Sequence, residues 1–198
     1  RDEATEDIYG LASVPSEEGL DTSWWSSFRL RLPWLYARLA TALAAAFVVG
    51  LFEQTIAKAV ALAVIMGIVA GQGGSSGMQT VAIITRGMAL GELDRKKGGR
   101  LLLKEVALAL VNGILIGATV GAITYLWKGE ILLGVVVCIA MILNMLIAAV
   151  GGVAIPVAVR GLGRDPSHVS GIVLTTITDV VGFALLFLIA RLLLPAIR

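Results

Sequence analysis

Apolar residues gather in five long runs, at about 34–52, 56–85, 101–127, 131–159 and 168–194, with the charged residues concentrated between them. A helix rises 1.5 Å per residue, so each run can cross a hydrocarbon core of about 30 Å. None shows the polar–apolar alternation that a membrane β-barrel requires. The pattern predicts an all-α polytopic membrane protein with a five-span pore-type domain over 34–198. Residues 1–33 differ. The first 18 are acidic and too poor in apolar side chains to fold alone. With Arg1 in place of Met and no signal peptide pattern, they read as the end of a preceding soluble region that has been cut away. Residues 19–33 form a connector, whose Trp24, Trp25, Phe28 and Leu32 beside Arg29 and Arg31 suit the headgroup layer.

Several runs carry interruptions. The second contains Gly71-Gln-Gly-Gly-Ser-Ser-Gly77. Glycines weaken a helix, and backbone freed at membrane depth must line a cavity or be buried in protein. The stretch therefore reads either as a discontinuous helix of the kind that forms ion sites or as a close-packing face. It is not a phosphate-binding loop, because no Gly-Lys-Ser/Thr follows. The third run repeats Gly113, Gly117 and Gly121 every four residues, a packing face. Glu105, next to Lys104, lies close enough to the loop to reach the interface. In the fourth run Asn144 reads as interhelical glue, and Pro156 should kink the last turns.

Composition sharpens this picture. Hydrophobic residues make up 58% and charged residues 15%, with a mean hydropathy of +0.91, outside the range of a soluble domain. Cys138 and His168 are single, which excludes a disulfide framework and a Cys or His metal cluster. No nucleophile–base pair points to an enzyme, and no basic face points to nucleic acid. Five crossings put the termini on opposite sides. With the N-terminus in the cytoplasm, the inner set of basic residues is Arg29, Arg31, Arg38, Arg86, Arg95, Lys96, Lys97, Arg100, Lys104, Arg160 and Arg164. The outer set is Lys58, Lys128, Arg191 and Arg198. That asymmetry favours a cytoplasmic N-terminus and an external C-terminus.

The chemistry lies in the fifth run. Asp179 stands about 16 Å along it from His168, close to the bilayer midplane. A carboxylate there costs roughly 2.5–3.5 kcal/mol on insertion scales, so it must face a partner, a cavity or an ion. Helical spacing sets Gly171, Thr175, Asp179 and Gly182 along one side. Carboxylate, hydroxyl and backbone oxygens suit hard cations such as Mg²⁺, Ca²⁺ or Mn²⁺. One Asp is a weak cage, whereas two across a dimer axis would match a divalent charge. From the residues alone the reading is a divalent cation pathway in an oligomer.

These residues resemble a known family. The five-span layout, Gly71 to Gln79, Pro156 followed by Gly163-Arg-Asp-Pro166, and Thr175-Thr-Ile-Thr-Asp-Val-Val-Gly182 look like the transmembrane domain of the MgtE magnesium channels. The resemblance implies a homodimeric, Mg²⁺-selective channel in the inner membrane, its pore lined by spans two and five of both subunits. It places the ion at Asp179 and the Thr175 backbone carbonyl, with Gly171, Gly73 and Gly74 along the pore. It also implies N-terminal regulatory domains, absent here, leading into an acidic plug helix. Glu3, Glu6 and Asp7 match that helix and Asp165 the loop acid it approaches, so cytosolic Mg²⁺ bridging them would close the pore. Many relatives carry Asn where Ser75 stands, and no role is carried onto Ser75. Two rivals stand beside the channel: a proton- or sodium-coupled transporter with Asp179 as relay, and a non-transporting membrane subunit that docks a cytoplasmic partner.

Overall fold

A computed structural model describes residues 18–92, 95–163 and 166–194. Among them are six helices and no strand: α1 (Trp24–Leu51), α2 (Glu53–Lys58), α3 (Ala61–Ala89), α4 (Arg95–Lys128), α5 (Ile131–Gly161) and α6 (Pro166–Leu193). All but the short α2 are long and apolar enough to cross a membrane. The all-α, five-span fold class read from the chain is thus the one observed.

Two features differ most from the sequence reading, while α3 starts at Ala61 rather than about Ile56 and α4 at Arg95 rather than about Leu101. The first helix begins at Trp24, ten residues before the predicted Trp34, because Ser23 caps it and the interfacial aromatics continue its turns. Trp25 stacks on Phe28, and the Arg29 guanidinium lies 4.9 Å above the Trp25 ring. Arg31 holds the incoming chain through a two-pronged bond to the Glu18 carboxylate, whose pKa it lowers. The second difference is the glycine stretch. Helix α3 runs unbroken through Gly71–Gly77, so the discontinuous-helix alternative is set aside in favour of close packing. In lipid the backbone groups of these residues have no water to turn to, and the intact helix satisfies them internally. The breaks fall elsewhere: Gly91, Gly129 and Gly163, just beyond α3, α4 and α5, adopt φ of 67°, 73° and 71°, the left-handed cap that ends a helix.

Helix α5 is the centre of the bundle, packed against α3, α4 and α6. Its Val136, Val137, Ala140, Met141, Asn144 and Ala148 are completely buried. The α4–α5 seam is built on small residues, as the four-residue repeat predicted. A Cβ at Gly113 would sit 3.0 Å from Ile142 Cα, one at Gly117 3.0 Å from the Cys138 carbonyl oxygen, and one at Gly121 2.6 Å from the Gly134 carbonyl oxygen. Without a hydrophobic drive between helices in lipid, such close backbone approach is what holds a bundle together. Helix α1 is different. It leans on α6, buries only Ala45, and leaves Leu35, Leu39, Leu43 and Phe47 exposed on its apolar surface.

Candidate cation site

Three helices border an open cavity of about 530 Å³. Its α1 wall is Arg38, Thr41 and Ala42; α3 contributes Ala70, Gly71, Gly74, Ser75 and Met78; and α6 contributes Thr175 and Asp179. Each set recurs at helical spacing, so the cavity is a face-to-face meeting of three helix stripes. Asp179 is half-buried in it, and among the described residues no donor reaches its carboxylate. A free acceptor at this depth, with a hydroxyl-bearing turn beside it, is open to a cation. The described residues hold no cluster of three His, Cys, Asp or Glu that could cage a metal. Asp179 is the one carboxylate among the residues that line the cavity.

The threonines around Asp179 turn their hydroxyls onto the helix. Thr175 Oγ1 donates to the carbonyl oxygens of Gly171 at 2.9 Å and Ile172 at 3.1 Å, and Thr176 Oγ1 to Ile172 at 2.6 Å. Thr178 Oγ1 is shared between the Leu174 and Thr175 carbonyl oxygens, both at 3.1 Å. The Thr175 carbonyl named as a ligand by the resemblance thus already accepts a hydroxyl proton. In the unbroken helix the same oxygen also accepts the Asp179 N–H, so a ligand there would displace the Thr178 hydroxyl.

The predicted small-residue stripe divides. Thr175 and Asp179 line the cavity, and Gly74 meets them from α3, its absent Cβ 3.5 Å from Thr178 Oγ1. Gly171 packs against Met78, itself part of the wall. Gly73 and Gly182 turn the other way. Both close on Asn144, where a Cβ would lie 2.3 Å and 2.8 Å from its Nδ2. Asn144 donates from Nδ2 to the Val69 carbonyl oxygen at 2.9 Å, and its buried Oδ1 has no partner in the protein. One amide therefore pins α3, α5 and α6 together beneath the cavity floor, as the reading of interhelical glue anticipated. Glu3, Glu6, Asp7 and Asp165 lie outside the described residues.

Two charged residues have surroundings that the sequence reading does not give them. That reading sends Glu105 to the interface beside Lys104. Glu105 is instead 6% exposed, accepting a hydrogen bond from Thr80 Oγ1 of α3 at 2.9 Å, with Lys104 Nζ 3.9 Å from its other oxygen. The charge count sets Arg38 with the cytoplasmic residues, and the cavity it lines adds a neighbour that count does not anticipate: its charge acts on the Asp179 carboxylate. A signal for Arg38 is present in the chain: Thr41 and Ala42 follow it by three and four residues in an apolar run, the spacing of a helix face.

Five helices long and apolar enough to cross a membrane, packed as one bundle, place the chain in the class of polytopic helical membrane proteins. A family model described as a divalent cation transporter matches residues 66–189, and the chain belongs to that family, MgtE. The magnesium transporter MgtE of Bacillus subtilis is 31% identical over 188 residues, covering 95% of this chain. Those of Enterococcus faecalis and Thermus thermophilus are each 32% identical, over 191 and 201 residues, covering 96% and 98% of this chain. The chain spans 42%, 42% and 44% of the length of these three relatives.

Proposed function

We propose that this chain forms a passive Mg²⁺ pore as a homodimer in the inner membrane. The ion enters the cytoplasm down its electrochemical gradient along a path lined by α3 and α6 of both subunits. Asp179 is the intramembrane ion site, with the Thr175 carbonyl beside it. The observation that carries the reading is the Asp179 carboxylate, free of any described donor and set in a cavity that Arg38, Thr41, Ser75 and Thr175 also line. Family membership supports a divalent cation, and the relatives named as magnesium transporters support Mg²⁺. Charge supports a second copy, which brings a second carboxylate to a divalent ion that one would leave half neutralised. The sparsely packed α1 and the open cavity give that copy a surface to meet. Regulation by cytosolic Mg²⁺ through Glu3, Glu6, Asp7 and Asp165, and through domains upstream in the relatives' longer chains, belongs to the same proposal.

Reconstituted into liposomes, the protein should carry Mg²⁺ with a rate set by the Mg²⁺ gradient and voltage, unchanged by a pH or Na⁺ gradient. A rate that tracks either gradient would make Asp179 a coupling relay instead, and absence of flux would favour the docking subunit. For orientation, the basic residues on the proposed cytoplasmic side carry the argument. In a Cys138→Ala background, a cysteine at Arg95 should label only from the cytoplasmic side and one at Arg198 only from outside. Labelling of both from one side would rule out an odd number of crossings.

A further inference from the structure

Arg38 is a charged group in the cavity that the proposed pathway leaves without a task. A guanidinium is ionised at any working pH, and its charge is costly in a cavity of an apolar bundle. Such a residue needs a compensating group. Arg38 stands 14 residues beyond the start of α1 and Asp179 13 beyond the start of α6. In a five-span chain the first and last spanning helices run the same way, and the cavity that both side chains line brings them to one level. They line one cavity and feel one another's charge, yet no ion pair within contact distance joins them. Their separation leaves room between guanidinium and carboxylate. Thr41 Oγ1 donates to the Arg38 carbonyl at 2.8 Å and so turns away from that space.

We propose that Arg38 is a built-in counter-ion of Asp179, a tethered cation that balances the carboxylate when the site is empty and competes with the ion that enters. This rests on the reading of Asp179 as the ion site. The competition has two effects. A monovalent cation replacing the guanidinium's influence brings the same single charge and gains nothing, whereas a divalent ion brings twice the charge and prevails. The guanidinium also keeps the divalent ion from binding too tightly, and conduction requires that a bound ion be able to leave. Arg38 is thus a selectivity- and release-determining residue on a helix that the family's proposed pore lining omits.

The test combines Mg²⁺ calorimetry on the purified full chain with Mg²⁺ and Na⁺ flux in liposomes. Arg38→Gln should tighten Mg²⁺ binding by at least about tenfold, admit Na⁺, and slow maximal Mg²⁺ flux as release becomes limiting. Arg38→Met, apolar and compatible with lipid, repeats the measurement should the glutamine variant fail to insert. Arg38→Lys restores the charge and should restore ordinary binding and Na⁺ exclusion, which a purely steric role would not. In an Asp179→Asn background the Arg38→Gln change should have no further effect on binding. Unchanged Mg²⁺ affinity with continued Na⁺ exclusion in both neutral variants would overturn the proposal, as would a lysine variant that behaves like the glutamine one. If Asp179→Asn alone binds Mg²⁺ normally, the ion-site reading itself fails and the counter-ion falls with it. If Asp179→Asn loses binding while Arg38→Gln changes nothing, only the counter-ion is lost.

Discussion

Asp179→Asn should abolish selective Mg²⁺ flux and high-affinity Mg²⁺ binding while the protein still inserts and assembles. Asn and Asp have the same shape, so packing against Thr175 and the α3 wall is preserved and only the charge is removed. The cavity has no other acidic side chain among its lining residues. A divalent ion leaving water for a low-dielectric site would then meet only dipoles, and Mg²⁺ gives up or shares its waters reluctantly. The expected loss in flux is about a hundredfold or more, because two missing unit charges act on a doubly charged ion. Stopped-flow Mg²⁺ uptake into liposomes and calorimetric titration read the two effects separately. Normal Mg²⁺ conduction by this variant would sink the proposed mechanism. Asp179→Glu adds a methylene to a cavity sized for an ion with its waters and should recover little of the flux. The assembly half of the prediction is checked by disulfide trapping between subunits through cysteines near residue 179.

Gly134→Ala should cost about 1–3 kcal/mol of stability, the range for overpacking a tight interior. A Cβ at Gly134 falls 2.6 Å from the Gly121 carbonyl oxygen, and a Cβ at Gly121 falls 2.6 Å from that of Gly134. Neither clash can be relieved by rotating a side chain, since each meets backbone. Helices α4 and α5 must separate, and the contacts of Gly113 with Ile142 and Gly117 with Cys138 loosen along the same seam. The seam lies away from the Asp179 cavity, so ion binding by the folded fraction should be intact. Thermal unfolding in detergent should show a lowered midpoint beside an unchanged Mg²⁺ affinity at low temperature. Gly67→Ala on α3, where no atom lies within 4 Å of the added carbon, is the control and should be close to neutral. A Gly134→Ala midpoint equal to the control would refute the close-contact account of this seam.

The five long helices were legible because crossing a bilayer is a local demand: a run of apolar residues must be long enough, and no distant contact is needed to see it. The four-residue glycine repeat of α4 was legible for a similar reason, since helical spacing alone puts its members on one face. The Gly71–Gly77 stretch leaves two readings open. Glycine propensities are measured in water, where freed backbone groups can be hydrated, whereas in lipid an intact helix is the way to satisfy them. Its glycines serve different neighbours, Gly73 meeting Asn144, Gly74 the threonines of α6, and Gly77 Leu174. That division depends on how α3 rolls against α5 and α6, which no spacing within α3 reveals. In the chain, Lys104 draws Glu105 to the interface. Consecutive residues on a helix nevertheless point about 100° apart, and Glu105 faces Thr80 while Lys104 faces out. The place of Arg38 beside Asp179 is not read from the chain, although its spacing with Thr41 and Ala42 signals a helix face, because which helix that face meets depends on how α1 leans on α6.

The amide at position 144 has a consequence for how such a chain can change over generations. Asn144 fills the space that two absent side chains leave, one on α3 and one on α6. Alanine at position 73 or 182 forces the amide to shift from its bond to Val69, and a smaller residue at 144 opens a void between two helices until one of the glycines grows. The three positions therefore form a single unit of inheritance, although 71 residues separate the first two and 38 the last two. Among relatives they should be replaced together or not at all, and a lone replacement should mark a lineage that has shifted these helices.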